Sequence, residues 1–446
     1  MIKMNLHQIC AVVGGSMVGK EVRIHGVSTD SRTVEKGQLF VALKGEHFNG
    51  ESFCQQAVAR GAAAVMVSDA VEVDVPQLIC ENTLEALEAL AKAWLRQCDV
   101  RVVAVTGSNG KTTVKNMLHA ILSQSHRCFA TPGNWNNEIG VPLSLLQLSP
   151  EDDFAVIEMG AAQIGDIAHL TELVKPDVAL VNNVSNAHVG RFGSIENIAI
   201  GKGEIYEALA DNGVAIINGD DVFKKMWQMS VSSQQLTFGG SESSDVRLLE
   251  ATGTTQIMLP GEHVITIDLP VLGRHNQMNA AAAVAVAVSL AIEEHDMVAG
   301  LASFIPEKGR MECAGSINNT LIIDDSYNAN LASAKAAIDV LQVMKSPSVL
   351  VMGDMAELGE FAVQMHEEIG LYADTKGIDT VLAVGKYAGA VCSQRKTKCE
   401  AFNDVDAVIE ALKSEYLVGG TVLVKGSRSM QLERVVDALV QQEVRL

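Results

Sequence analysis

Apolar positions in this chain follow two alternating rhythms. Short apolar runs predict buried strands, and segments with apolar residues at helical spacing follow them. In the first part, short strands and helices are expected at 38–43, 54–60, 63–67 and 77–80, with a helix over 84–96. Further on, strands are expected at 154–158, 178–182 and 214–218, then a β-rich stretch over 235–272 that alternates at 264–269, then an alanine-rich helix over 277–292. The last part is the most regular. Strands at 320–323, 349–352, 380–384 and 422–424 alternate with helices near 332–344, 362–375, 405–416 and 431–442. Such alternation implies a mostly parallel, doubly wound sheet. The expected fold class is α/β in three domains, at 1–82, 83–309 and 310–446.

Length agrees with that division, since 446 residues correspond to about three domains. A composition of 48% hydrophobic and 20% charged residues is ordinary for a soluble globular protein. Only 4% of residues are aromatic and the net charge is −20, which argues against a nucleic-acid surface. An anionic ligand would need locally placed cations. Lys3 and His7 interrupt the first apolar run, so no signal peptide is expected. The run 280–292 is too short to span a bilayer. A cytoplasmic protein, not inserted in a membrane and monomeric, is the expectation. Its eight cysteines show no Cys-x-x-Cys pair and read as reduced core residues, with neither a zinc site nor a disulfide frame.

One segment carries most of the chemistry. Val102-Val103-Ala104-Val105 reads as a buried strand, Thr106-Gly107-Ser108-Asn109-Gly110 as a glycine loop, and Lys111-Thr112-Thr113 as the start of a helix. Val114, Met117, Leu118, Ile121 and Leu122 give that helix its apolar face. Strand, loop and helix in this order aim backbone N–H groups at an anion. Lys111 can reach β- and γ-phosphates, and the Thr112 hydroxyl can ligate magnesium. The usual spacing asks for glycine where this chain has Val105, so the loop is a shortened variant.

Other polar groups follow strand ends, where α/β sheets bind ligands. Glu158 is a magnesium ligand or a solvated loop acid, and His188 a metal ligand or a structural histidine. Lys202 by position alone is an exposed helix lysine. Arg274, His275, Asn276 and Asn279 open the alanine-rich helix as caps or as nucleotide contacts. The cluster Asp324-Asp325-Ser326-Tyr327-Asn328-Ala329-Asn330 is too polar for a simple turn and suits a ribose or a second substrate. Lys425-Gly426-Ser427-Arg428 is a solvated basic turn or an anion site.

Taken in order, these motifs resemble the Mur ligases, ATP-dependent amide-forming enzymes of peptidoglycan assembly, over essentially the whole chain. The blocks 131–140, 324–330 and 353–359 are closest to members that add a terminal dipeptide. Ser28–Arg32 and Leu39–Gly45 resemble the family's uridine-nucleotide domain. The resemblance implies a small N-terminal α/β uridine-nucleotide domain, a central P-loop domain with a parallel sheet, and a C-terminal Rossmann-like domain. It implies ATP and Mg²⁺ as cofactors, and UDP-MurNAc-tripeptide and D-Ala-D-Ala as substrates joined through an acyl phosphate.

It also implies roles by position. Gly107, Ser108, Asn109, Gly110, Lys111, Thr112 and Thr113 would hold ATP, with Asn276, Asn279, Arg310 and Asp325. Thr112, Glu158, His188 and Lys202 as a carbamate would support magnesium. Lys111, Lys202, His188 and Lys425 would serve the chemistry. Ser31, Arg32, Lys44 and Gly45, and Asn134, Asn137, Tyr327 and Asn328, would contact substrates. Two positions depart from the family pattern: Leu331 where proline often stands, and Gly201 where alanine is common. The member that adds the third peptide residue typically carries Asp-Asn-Pro-Arg, which is missing here. That member is the nearest alternative. Folylpolyglutamate synthase, a P-loop kinase and a nucleotide-gated binding protein are further ones.

Overall fold

A computed structural model describes residues 1–45, 48–186, 189–251, 253–393 and 395–440. Among the described residues, three larger sheets follow one another along the chain. The N-terminal sheet runs Ser16–Val18, Gln77–Ile79, Ala64–Val67, Leu39–Val41, Val27–Ser28, with parallel pairing except at its first edge. Cys54–Arg60 forms the expected helix, and Thr83–Leu95 the next one, capped by Asn82.

The central sheet runs Cys128–Ala130, Phe154–Glu158, Arg101–Thr106, Val178–Val181, Val214–Asn218, Gln234–Gly239, Val246–Leu248, all parallel, and ends in the antiparallel strands Thr255–Met258 and Val264–Ile267. Arg101–Thr106 is buried except at Arg101 and lies between two buried strands, as its continuous apolar run requires. The loops that leave these three strands therefore gather at one edge. Helix Lys111–Leu122 packs on Arg274–Ser289, whose run Ala280–Ala287 is wholly buried. That helix begins before the expected 277, which places Asn276 and Asn279 in its first turns.

The C-terminal sheet runs Glu312–Ile317, Thr320–Asp325, Gly420–Lys425, Ser348–Gly353, Thr380–Val384, Lys398–Phe402, parallel except at its first edge. Asp325 and Lys425 stand side by side at the ends of adjacent strands. Among the described residues, no helix is long and apolar enough to cross a membrane.

Some expectations need correction. Cys128–Ala130, Glu312–Ile317 and Lys398–Phe402 are strands that apolar periodicity does not reveal, because each is an edge strand without a fully buried residue. The expected helix over 405–416 ends at Ala411 and continues as a wider π-type turn over Leu412–Tyr416. The cysteines are not all reduced core residues: Cys392 and Cys399 form a disulfide, and Cys313 is exposed. Cys54, Cys80 and Cys98 are buried as expected.

Candidate active site

Gly110 ends the glycine loop with φ +76°, and a Cβ there would lie 2.4 Å from Asn279 Oδ1. Only glycine suits such a position. The loop is held by asparagines from neighbouring strand ends. Ser108 N–H donates to the Asn183 carbonyl at 2.8 Å, and Asn109 N–H to Asn183 Oδ1 at 2.9 Å. Asn182 Nδ2 donates both to the Asn109 carbonyl at 3.0 Å and to Asn279 Oδ1 at 2.8 Å. Asn279 in turn donates to Asn276 Oδ1 at 3.1 Å. Asn276 and Asn279 thus brace the loop from the alanine-rich helix. The amides of Ser108 and Asn109 are already used, while the helix start at Lys111 carries no side-chain cap and leaves its first N–H groups for an anion.

Lys111 is half-buried and donates to the Gly107 carbonyl at 2.9 Å. Burial pushes its ammonium below the ordinary lysine value, with Glu158 pulling the other way. Glu158 is 1% exposed at the end of its strand. Its Oε1 accepts from Asn136 Nδ2 at 2.7 Å, whereas its buried Oε2 has no hydrogen-bond partner. Lys115 lies 3.7 Å from that oxygen. Lys202 is 2% exposed, contrary to its bland positional reading. Burial first, and the charge of Lys111 second, push its ammonium well below the ordinary range. Gly201 has a local reason, because a Cβ there would meet Phe192 at 2.9 Å.

The C-terminal domain closes on this loop. Arg310 donates to Thr112 Oγ1 at 2.9 Å and lies 4.1 Å over the Tyr327 ring. Asn330 caps helix Leu331–Gln342 through Ser333 N–H, so Leu331 starts that helix without a proline. Lys425 is buried, donating to Asp325 Oδ2 at 2.6 Å and to the Asn328 carbonyl at 3.0 Å. Asp325 Oδ1 accepts from Met311 N–H at 3.1 Å.

Most of these groups, though not Asn182 or Lys115, line one cavity of about 1280 Å³ between the central and C-terminal domains. Every residue of those two domains to which the resemblance assigns a role lines it except Gly107, and except His188, which lies outside the described residues; Arg274, Asp324, Ser326 and Arg428 do not line it. The N-terminal candidates do not line it. Ser31 donates to Gln56, Arg32 pairs with Asp30, and Lys44 pairs with Asp69 on the short strand Lys44–Gly45. Sequence reasoning missed Lys115, Asn136 and Asn182 as site residues. Lys115 had a signal: a lysine one turn after Lys111, among the helix's apolar positions.

The donor set suits a hard cation. Magnesium binds through one or two carboxylates and substrate phosphates, leaving room for water. Glu158 lines the same cavity as the phosphate loop and its Oε2 accepts no hydrogen bond, which meets that requirement. Among the described residues there is no cluster of three His, Cys, Asp or Glu side chains, as a dedicated protein cage would need.

Comparison with known proteins gives matches along nearly the whole chain. Residues 23–105 match the Mur ligase family, catalytic domain; 105–287 the Mur ligase middle domain; and 309–428 the Mur ligase, glutamate ligase domain. The UDP-N-acetylmuramoyl-tripeptide--D-alanyl-D-alanine ligase of Escherichia coli (strain K12) is 43% identical, over 98% of this chain and 99% of the relative. The crystal structure of MurF from Acinetobacter baumannii superposes with a TM-score of 0.92 at 34% identity, covering 99% of each chain. That of MurF ligase from Thermotoga maritima in complex with ADP gives 0.84 at 30% identity, over 95% of this chain and 99% of the other.

Proposed function

We propose a function from one premise: this chain belongs to the Mur ligase family. It is an ATP-dependent ligase that joins D-alanyl-D-alanine to UDP-N-acetylmuramoyl-tripeptide in peptidoglycan precursor synthesis. The observation that carries this reading is the single cavity shared by the phosphate loop, Glu158, Lys202 and the C-terminal Arg310, Asp325 and Lys425, in a chain that resembles such ligases end to end.

A carboxylate is a poor acyl donor because its leaving group would be oxide. Attack of a substrate carboxylate oxygen on the γ-phosphorus of ATP releases ADP and forms an acyl phosphate. The dipeptide amine then attacks the acyl carbon, phosphate leaves, and the nitrogen loses a proton. Both steps concentrate negative charge, and this chain's net charge of −20 makes local cations necessary. In this reading Lys111 leaves the Gly107 carbonyl for the phosphates, the N–H groups at the start of its helix hold the same anion, and Arg310 closes on it from the C-terminal domain.

Glu158 and Thr112 would hold magnesium, together with Lys202 as a carbamate and with His188. The metal supplies electrostatic stabilisation of the transferred phosphoryl group. The lowered proton affinity of Lys202 supports the carbamate, because only a neutral amine adds to carbon dioxide. Closure of the C-terminal domain keeps water from the acyl phosphate. Ser31, Arg32, Lys44 and Gly45 would hold the uridine nucleotide away from the reaction centre, and Asn134, Asn137, Tyr327 and Asn328 would contact the reacting substrates.

Product analysis tests the reading. ADP, phosphate and the UDP-linked pentapeptide should form in equal amounts. A phosphoester product would make the protein a kinase, and hydrolysis alone would make it a nucleotide-gated binding protein.

A further inference from the structure

Lys115 is the largest charged side chain buried in the central domain that the mechanism above leaves without a role, together with Lys202 the only lysines there exposed by 2% or less among the described residues. Its ammonium donates to the carbonyls of Thr131 and Gly133, each at 2.8 Å. It also lies 3.7 Å from Glu158 Oε2. An ammonium has three donors, and two are used on the carbonyls. Glu158 is thus neutralised by a nearby charge while Oε2 stays without a hydrogen bond.

The two carbonyls begin the loop that carries Asn134, Asn136 and Asn137 along the cavity. Three ties of that loop run to the strand ending at Glu158: Thr131 N–H to the Val156 carbonyl at 3.0 Å, Glu158 N–H to Thr131 Oγ1 at 3.0 Å, and Asn136 Nδ2 to Glu158 Oε1 at 2.7 Å, while its far end is held by Gly140 N–H donating to Asn137 Oδ1 at 2.9 Å. Lys115 reaches the same loop from the other side, from the helix that starts with Lys111 and Thr112. Burying an ammonium is unfavourable unless it is paired and hydrogen-bonded, and here the pairing joins two parts of the site.

We propose that Lys115 is a positioning residue that locks the acyl-substrate loop, residues 131–137, and the Glu158 carboxylate to the phosphate-binding helix as one unit. The proposal rests on the ligase reading for the identity of the substrate. Lys115 touches no reactant; it sets where Asn134 and Asn137 stand relative to the phosphates.

The test uses the full chain as wild type, Lys115→Met, and Lys115→Arg, which keeps the charge and its donors. Calorimetry measures binding of UDP-MurNAc-tripeptide and of ADP separately, and hydrogen exchange follows segments 131–137 and 107–113. Lys115→Met is expected to bind the tripeptide about tenfold or more weakly, the loss typical of a charged hydrogen-bond group, with ADP binding unchanged. Exchange should rise in 131–137 and not in 107–113, and Lys115→Arg should recover most of the tripeptide binding. Unchanged tripeptide binding in Lys115→Met, equal weakening of both ligands, or Lys115→Arg as poor as Lys115→Met would overturn the proposal. If wild type itself failed to bind UDP-MurNAc-tripeptide, the substrate assignment would fall, while the exchange pattern would still decide whether Lys115 ties the loop.

Discussion

The side-chain amide of Asn330 donates to Asn109 Oδ1 at 2.6 Å, so the C-terminal domain closes directly on the phosphate loop. The same asparagine caps its own helix through Oδ1. Serine also caps helices but is too short to reach Asn109. Asn330→Ser is therefore expected to keep stability within about 0.5 kcal/mol and to slow turnover at limiting ATP about fivefold or more. Denaturant unfolding and initial rates measure the two effects. A stability loss with unchanged ATP dependence would leave Asn330 only its capping role.

Lys202 sets a pH dependence of known sign. Its folded-state pKa is pushed well below the ordinary 10.5, so across the intervening pH window the unfolded chain binds a proton that the folded lysine does not. Stability must rise with pH across that window and fall as pH drops through it. In buffer free of carbon dioxide, Lys202→Met is expected to raise stability at neutral pH by about 1 kcal/mol or more and to flatten that slope. Turnover should be lost, and short carboxylates should partly restore it in Lys202→Ala. Wild-type turnover in either variant would remove Lys202 from the metal site.

Glu158 and Lys115 form a buried pair with both side chains 2% exposed. Breaking such a pair leaves an uncompensated charge and typically costs about 3 kcal/mol or more. Glu158→Gln is expected to lose stability on that scale and to need more magnesium for half-maximal rate. Titrating the rate with magnesium checks the second point. An unaltered requirement would show that Glu158 does not hold the metal.

Lys111 gives a contrasting expectation. It is half-buried and its hydrogen bond goes to Gly107 of its own loop. Lys111→Ala should fold with a melting temperature close to wild type and lose turnover by about a hundredfold or more, as when one transition-state donor is removed. Turnover near wild type would sink its phosphate role.

Sequence made the phosphate loop legible because a buried strand, two glycines and a helix start are all local signals. Parallel strands such as Phe154–Glu158, Val178–Val181, Val214–Asn218, Ser348–Gly353 and Thr380–Val384 were legible for the same reason: each is a largely continuous apolar run buried along its length. Edge strands such as Glu312–Ile317 were not, since a half-buried edge has no such run. Of the asparagines bracing the loop, Asn276 and Asn279 were marked by their place at a helix start, whereas Asn182 was hidden: it meets Asn279 at 2.8 Å from far away in the chain, and nothing local marks it. Lys202 looked like a surface residue because helical position does not reveal what packs over it. The carbamate role proposed for it comes from family resemblance, and its burial is a physical argument in favour of that proposal.

The central claim is that this chain couples ATP cleavage to addition of a dipeptide. The most direct measurement is ADP release with UDP-MurNAc-tripeptide present, comparing D-alanyl-D-alanine with single amino acids, including lysine and diaminopimelate paired with the shorter UDP-MurNAc-dipeptide. ADP release that requires both the tripeptide and D-alanyl-D-alanine is the expected result. Release that depends instead on a diamino acid and the shorter acceptor, or that ignores the second substrate altogether, would contradict it.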